Sequence, residues 1–521
     1  MRRMVRAIVA GLVVAGLLAV CACAGGDGTK TETIVIEGDD WGYPSPFAFY
    51  PRGPGYIRMS WIFDTLTWKD ESGTIPWLAD RWSSSQDGKE WTFELHEGVN
   101  WHDGQPLTAD DVKFTFDYFK ANLAALSWFA VLEDVDRVEV KSDQEVAIYL
   151  TEPVASFLDE VAGTVPIIPE HIWKDVEDPT KFTASQAVIG TGPFKLAEYD
   201  KEEGTYIYDA NEEFFKGEPL VRRLVSTRVS DSALALKTDT VDAAFFWGKE
   251  IDAVEELEED SKLETVSGPS FWVLQVIFNC EKSPTDQADF RKAVAYAIDR
   301  EEIVDKVTHG GAMVANPGMI HPDTDWYNPN VTAYAYDPAE AAELLDSLDF
   351  VDRDEDGIRE TPEGDELSFV LLASAEFTRE SEIIKDNLAA VGISVTVKAL
   401  DWSTIDGIVR EGDFHLAISG HGGIASPAIL ESPGWPSMTY KNEEYDALYR
   451  EQSQTIDIAE RQELVKQLQA MVADDLPVFA LYHPLIWCVF NPDKLDTWFY
   501  TKNGVATGIP TEENKLVFIE R

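Results

Sequence analysis

The sequence predicts an α/β protein whose lobes are joined by crossing strands, and three observations carry that reading. Segments with the two-residue alternation of strands interleave with segments of helical periodicity in both halves of the chain. No internal repeat recurs at the period of a solenoid or propeller. No low-complexity linker divides the 521 residues, although that length allows two to four domains. Lobes joined by crossing strands fit this pattern better than domains on a tether.

The elements follow in order. Residues 33–36 form a short β-branched run and read as a strand. Residues 42–55 are rich in Gly, Pro and aromatics; they read as a structured loop, because Phe47, Phe49 and Tyr50 need burial. Trp91, Phe93 and Leu95 alternate as a strand does. Thr108 followed by Asp111 marks a helix start, with Val112, Phe116 and Phe119 on its apolar face. Residues 138–150 read as two short strands around a turn at Lys141–Glu145. In the second half, Phe290, Val294, Ala297 and Ile298 share a helical face. Asp299 with Glu302 opens a helix that ends at Gly310-Gly311. Asp337-Pro338 is an N-cap followed by proline at the first helical position, with Leu344, Leu345 and Leu348 inward. A helix from about Thr378 ends at Gly392 and leads into the alternation Ile393, Val395, Val397. Leu464, Val465, Leu468, Met471 and Val472 mark a last long helix, stopped by Pro477.

Charge excludes some functions. The chain carries 43 Lys and Arg against 94 Asp and Glu, a formal net charge of −51. A surface of that sign repels phosphate backbones, so no nucleic acid is expected as partner. It also opposes adhesion to an anionic membrane by charge alone. The mean hydropathy is −0.19, and no later run is long and apolar enough for a multi-span membrane protein.

The N-terminus reads as an address. Arg2, Arg3 and Arg6 precede an apolar stretch at 7–20, and small residues with cysteine follow at 21–26. That is the three-part pattern of a secretory signal. Val20-Cys21-Ala22-Cys23 resembles a bacterial lipoprotein processing site. Cys23, preceded by the small Ala22, is the expected lipid attachment point. The division is then a signal peptide at 1–22 and a lipidated tether at 23–32. An acyl anchor would hold the body outside the cytoplasmic membrane, in the periplasm or at the cell surface, without spanning it.

No catalytic constellation is legible. The chain lacks a nucleophile elbow, a zinc-protease helix, a phosphate-binding loop and a dinucleotide fingerprint. His96 with His102, and His415 with His421, lack metal-ligand spacing on a helix. One motif is sharper. Asp352, Asp354 and Asp356 stand at alternate positions before Gly357, and Glu363 falls at the twelfth loop position. Such oxygens suit a structural Ca²⁺, although Pro362 and the placing of Ile358 depart from the helix-loop-helix pattern. An acidic turn without metal is the alternative.

Several stretches together resemble the extracellular solute-binding proteins, family 5, of ABC importers, the dipeptide-, oligopeptide- and nickel-binding group. They are Leu78-Ala79-Asp80-Arg81-Trp82, residues 87–95, and residues 101–112 with Trp101-His102-Asp103-Gly104. Gly190-Thr191-Gly192-Pro193-Phe194 with Asn211 and Phe215, then 290–300, 336–345 and 461–477, complete the set, which spans residues 33–521. The resemblance implies a periplasmic-binding-protein-like fold (type II, cluster C) with a hinge between its lobes. Lobe I would hold 33–270 and 490–521, with a subdomain inserted at about 76–190. Lobe II would hold 271–489, with hinge strands near Phe271–Cys280 and Val478–Phe490. Cys280 and Cys488 would then lie on neighbouring hinge strands, either as a disulfide or as two buried thiols.

The resemblance also implies binding rather than catalysis. A monomer would capture a small ligand between its lobes and deliver it to permease and ATPase subunits, with no cofactor required. Candidate aromatic walls are Tyr43, Tyr56, Trp247, Trp402 and Trp435. Peptide binders of the family typically place a carboxylate for the ligand's amine after the strand matching 414–419. Here that region runs from Gly420 through His421 to Pro427 without one. His421 is therefore a candidate for a metal chelate or a ligand hydrogen bond. Peptide is the first expectation, a nickel complex the second and an oligosaccharide the third. A secreted hydrolase is the alternative from a different class.

Overall fold

The computed structural model describes residues 31–50, 54–125, 132–431, 439–505 and 513–520. Cys23 and Trp435 lie outside the described residues.

A twelve-stranded mixed sheet organises the molecule and runs through both lobes. In lobe I, Thr31–Gly38 lies parallel to Val221–Arg228 and touches Ala243–Trp247 in the same sense. In lobe II, Ser368–Ser374 is parallel to both Ser394–Leu400 and Leu416–Gly422. Helices cross between these strands, as parallel pairing requires. The inserted subdomain is a four-stranded antiparallel sheet in the order Ala79–Ser84, Glu90–Leu95, Glu145–Leu150, Val135–Ser142. Helix Ala109–Ala121 packs on it through Val112, Phe116 and Phe119, and opens on the Thr108/Asp111 capping box.

The strand Val478–Phe490 joins the lobes. Twelve of its thirteen residues are buried and only Leu485 is half-buried, as for a strand covered on both faces. Residues 478–482 pair with Trp272–Phe278 in lobe II. Residues 485–490 pair with Glu264–Pro269, and residues 486–490 pair on their other edge with Ala243–Trp247, all in lobe I. Between the two sets, residues 482–484 pair antiparallel with Ala312–Val314. Pro484 has no N–H to give, and Phe271 sits in left-handed backbone at φ 49°. The chain passes between the two sets at Ser270–Phe271 and at His483–Pro484, side by side, where the Ser270 amide donates to Pro484 O at 3.3 Å.

Other expectations meet local corrections. Phe47 and Phe49 are buried, but Tyr50 is 41% exposed, its ring lying 5.9 Å from the Lys201 ammonium. The helix Arg300–Thr308 ends on His309 in left-handed backbone, ahead of the glycines. No disulfide joins Cys280 and Cys488; both are thiols. Register explains it. Ile277 faces Val478 and Cys280 lies beyond that end of the ladder, whereas Cys488 lies ten residues along the crossing strand from Val478. At strand rise that is roughly 30 Å, far beyond disulfide reach.

Candidate functional site

A cavity of ≈ 630 Å³ opens where the two lobes meet. Its walls come from the chain just after the carboxyl ends of neighbouring strands, where open α/β sheets bind ligands. Lobe I supplies Trp247, Gly248, Lys249 and Glu250 after Ala243–Trp247. Lobe II supplies Glu376 and Phe377 after Ser368–Ser374, Trp402 after Ser394–Leu400, and Gly420 near the end of Leu416–Gly422. The hinge adds Trp272, Tyr482 and Pro484.

The lobe II wall is aromatic and ordered. Trp272 stacks on Phe377 with ring centroids 6.3 Å apart, and Phe377 meets Trp402 edge-on at 5.6 Å. Gly420 makes this possible, since a Cβ there would meet the Trp272 ring at 1.6 Å. The indole Nε1 of Trp402 donates to Glu376 Oε1 at 2.6 Å, which fixes the ring. Facing it across the cleft, Trp247 is 43% exposed.

One cation and three carboxylates set the electrostatics. Lys249 reaches from lobe I to lobe II, donating to Glu376 O at 3.0 Å and to Glu380 Oε1 at 2.8 Å. Its ammonium also lies 5.0 Å from the Phe377 ring. Glu380 is fully buried and accepts from the Tyr482 hydroxyl at 2.8 Å. Burial, with the Glu380 charge beside it, raises the Tyr482 phenol well above its ordinary value, so it stays a donor. Glu250 accepts from the Trp247 amide at 2.9 Å, and burial raises its carboxyl. Far from the cavity the insert also touches lobe II, through Ser426 Oγ to Glu160 Oε1 at 2.6 Å and Ala155 N to Ser453 O at 2.9 Å.

Of the expected site residues, Trp247 and Trp402 line the cavity. Tyr56 does not. It is buried in the lobe I core, its hydroxyl given to Thr164 O at 2.9 Å. Tyr43 packs on Tyr199 and donates to Ala184 O at 3.2 Å, away from the lining. His421 pairs opposite Val273, with Nδ1 2.5 Å from Gly422 O, and it is Gly420 that reaches the cavity. Trp272, Phe377, Glu376, Glu380, Lys249 and Tyr482 escaped sequence reasoning. The hinge position of Trp272 and Tyr482 was the available signal. Among so many acidic residues, Glu376 and Glu380 carried none.

The acidic loop brings Asp352, Asp354 and Asp356 within 4.8 Å of one another, all exposed. Asp352 accepts the Glu355 and Gly357 amides, at 2.7 and 2.9 Å. Glu363 is outside this cluster. The chain runs back antiparallel through Val351 and Glu360 and turns again at Thr361–Gly364, so the twelfth position cannot close the loop.

Comparison with known proteins places the chain among relatives. Residues 73–435 match the model of bacterial extracellular solute-binding proteins, family 5 Middle. The heme-binding protein A of Haemophilus influenzae is 27% identical over 462 residues, covering 81% of each chain. The dipeptide-binding protein of Escherichia coli is 26% identical over 462 residues, covering 82% of this chain and 83% of that one. The structure of NikZ from Campylobacter jejuni in complex with Ni(L-His) superposes with a TM-score of 0.75 at 24% identity, covering 92% of this chain and 98% of that one. At that identity the likeness shows the fold, with its two lobes.

Proposed function

Because the chain belongs to the bacterial extracellular solute-binding proteins, family 5, we propose that it captures a short peptide between its lobes and delivers it to the permease and ATPase of an ABC importer. One observation carries the reading: an aromatic-walled cleft built from both lobes straddles the only two chain crossings among the described residues. Such a cleft binds by enclosure, with ligand selecting the closed arrangement. The role is binding without catalysis. Trp247 and Trp402, with Trp272, Phe377 and Tyr482, are the walls. Support for peptide comes from the dipeptide-binding relative and from the carboxylates in the cleft. The lining among the described residues holds no His or Cys, which disfavours direct ligation of nickel.

Isothermal calorimetry against di- to pentapeptides, nickel with histidine, and short glucans tests the proposal. Saturable binding of peptides alone is the expected result; binding of glucans or the nickel complex alone would replace it. We infer further that Cys23 carries the lipid, that the body works as a monomer outside the cytoplasmic membrane, and that Asp352, Asp354 and Asp356 take a structural Ca²⁺. Intact mass of the mature N-terminus, light scattering, and calcium titration of chelator-stripped protein test these in turn.

A further inference from the structure

We propose that Glu380, the Glu376 carbonyl and the Phe377 ring form a seat for a primary ammonium group of the ligand, and that Lys249 holds that seat as a tethered competitor. The idea rests on reading the cleft as the ligand site and names the part of the ligand it recognises.

The geometry is that of a cation site. A buried carboxylate, a backbone carbonyl and an aromatic face converge on one nitrogen, at 2.8, 3.0 and 5.0 Å. An ammonium offers three N–H donors and favours ring faces, so these acceptors match it better than they match a neutral amide. The second oxygen of Glu380, Oε2, is buried and has no hydrogen-bond partner. A completely buried carboxylate with one idle oxygen is costly unless a cation compensates it. The present cation is not a permanent fixture. Lys249 comes from the opposite lobe, and its side chain is 40% exposed, whereas that of Glu380 is 0% exposed. Lys249 can therefore withdraw into water while the seat stays formed. Glu380 stands in the first turn of helix Thr378–Ala389 and is held by the Tyr482 hydroxyl whether or not Lys249 is present. Lys249 then does two things. It ties lobe I to lobe II, and it sets a threshold that a ligand's ammonium must exceed to enter.

The test frees the seat and offers it a small amine. In full-length mature Lys249→Ala, n-butylammonium is expected to bind saturably by calorimetry, at least about tenfold more tightly than in the wild type. The neutral isostere n-butanol is expected to give no such binding. The double variant Lys249→Ala/Glu380→Gln is expected to lose the amine response while keeping a cooperative melt. Trialanine should likewise bind Lys249→Ala at least about tenfold more tightly than N-acetyl-trialanine does. Equal responses to amine and alcohol in Lys249→Ala, or an amine response that survives Glu380→Gln, would overturn the proposal. Amine binding without any peptide binding supports the seat and removes the peptide reading instead.

Discussion

At the scale of single residues, burial decides which charges matter. Asp64 and Lys515 are both fully buried and 2.6 Å apart. Burial lowers the Lys515 ammonium below its ordinary value, and Asp64 opposes that shift. Asp64 also accepts from Trp77 Nε1 at 2.6 Å and Thr191 Oγ1 at 2.7 Å, so four segments meet at one carboxylate. Asp64→Asn leaves the Lys515 charge uncompensated and is expected to cost about 3–5 kcal/mol in denaturant unfolding. A second prediction concerns histidine. Burial lowers His321 to about 4 and His483 to about 3 from the ordinary 6.5, and the two rings face each other at 4.7 Å beside the hinge. Below pH 6.5 the unfolded chain takes up protons at these positions and the folded chain does not. Their contribution is whole above pH 6.5 and is lost progressively as pH falls, down to about 4 for His321 and about 3 for His483. In His321→Gln the slope of stability against pH between 6.5 and 5 should flatten, by up to about 1.4 kcal/mol per pH unit. An unchanged slope would mean the ring is protonated in the fold. In the cleft, Gly420→Ala should drive the Trp272 ring off its seat and weaken ligand binding at least about tenfold, with little change in the melt of lobe I; calorimetry with the best peptide reads it.

At the scale of elements, caps and periodicity were legible and levels along strands were not. Asp337 accepts from the Ala339 and Glu340 amides at 3.0 and 3.1 Å, as its place before Pro338 implies. Asp337→Ala is expected to cost about 1 kcal/mol by chemical denaturation, since two donors of the first turn lose their acceptor. The helix Thr378–Ala389 and the strand Ser394–Leu400 likewise follow from local spacing. Of the two alternatives for Cys280 and Cys488, the thiols hold and the disulfide does not, for a different reason. Two hinge strands can be neighbours while two of their residues stand roughly 30 Å apart, and only the register tells. Tyr56 shows the same limit: an aromatic in a loop-like segment does not announce which side of a wall it faces.

At the scale of the whole molecule, the formal charge of −51 leaves the folded surface repelling itself. Salt screens such repulsion within about 10 Å at 0.1 M. The melting temperature is therefore expected to rise as sodium chloride goes from about 0.01 to about 0.5 M. A flat or falling dependence in calorimetric scans would show that paired surface charges, lost on screening, outweigh the excess. The same field favours cationic and zwitterionic ligands over anions, in line with a cleft holding three carboxylates to one lysine.

The sequence alone determined the α/β class, the caps and the family resemblance, because these depend on near neighbours and on motifs that survive as local strings. Trp247 and Trp402 were within its reach, as aromatics in loop-like or strand-end positions. The tertiary structure alone decided the cleft. Its walls come from separate segments, 247–250 lying more than a hundred residues before 376–380 and 402. Parallel strands bring their carboxyl ends to one edge whatever their order in the chain. Which side chains meet there is set by sheet order and register, and neither is written in any short stretch of residues. That is why Glu380, indistinguishable in sequence from its many acidic neighbours, becomes distinctive only when Lys249 and Tyr482 are seen to converge on it.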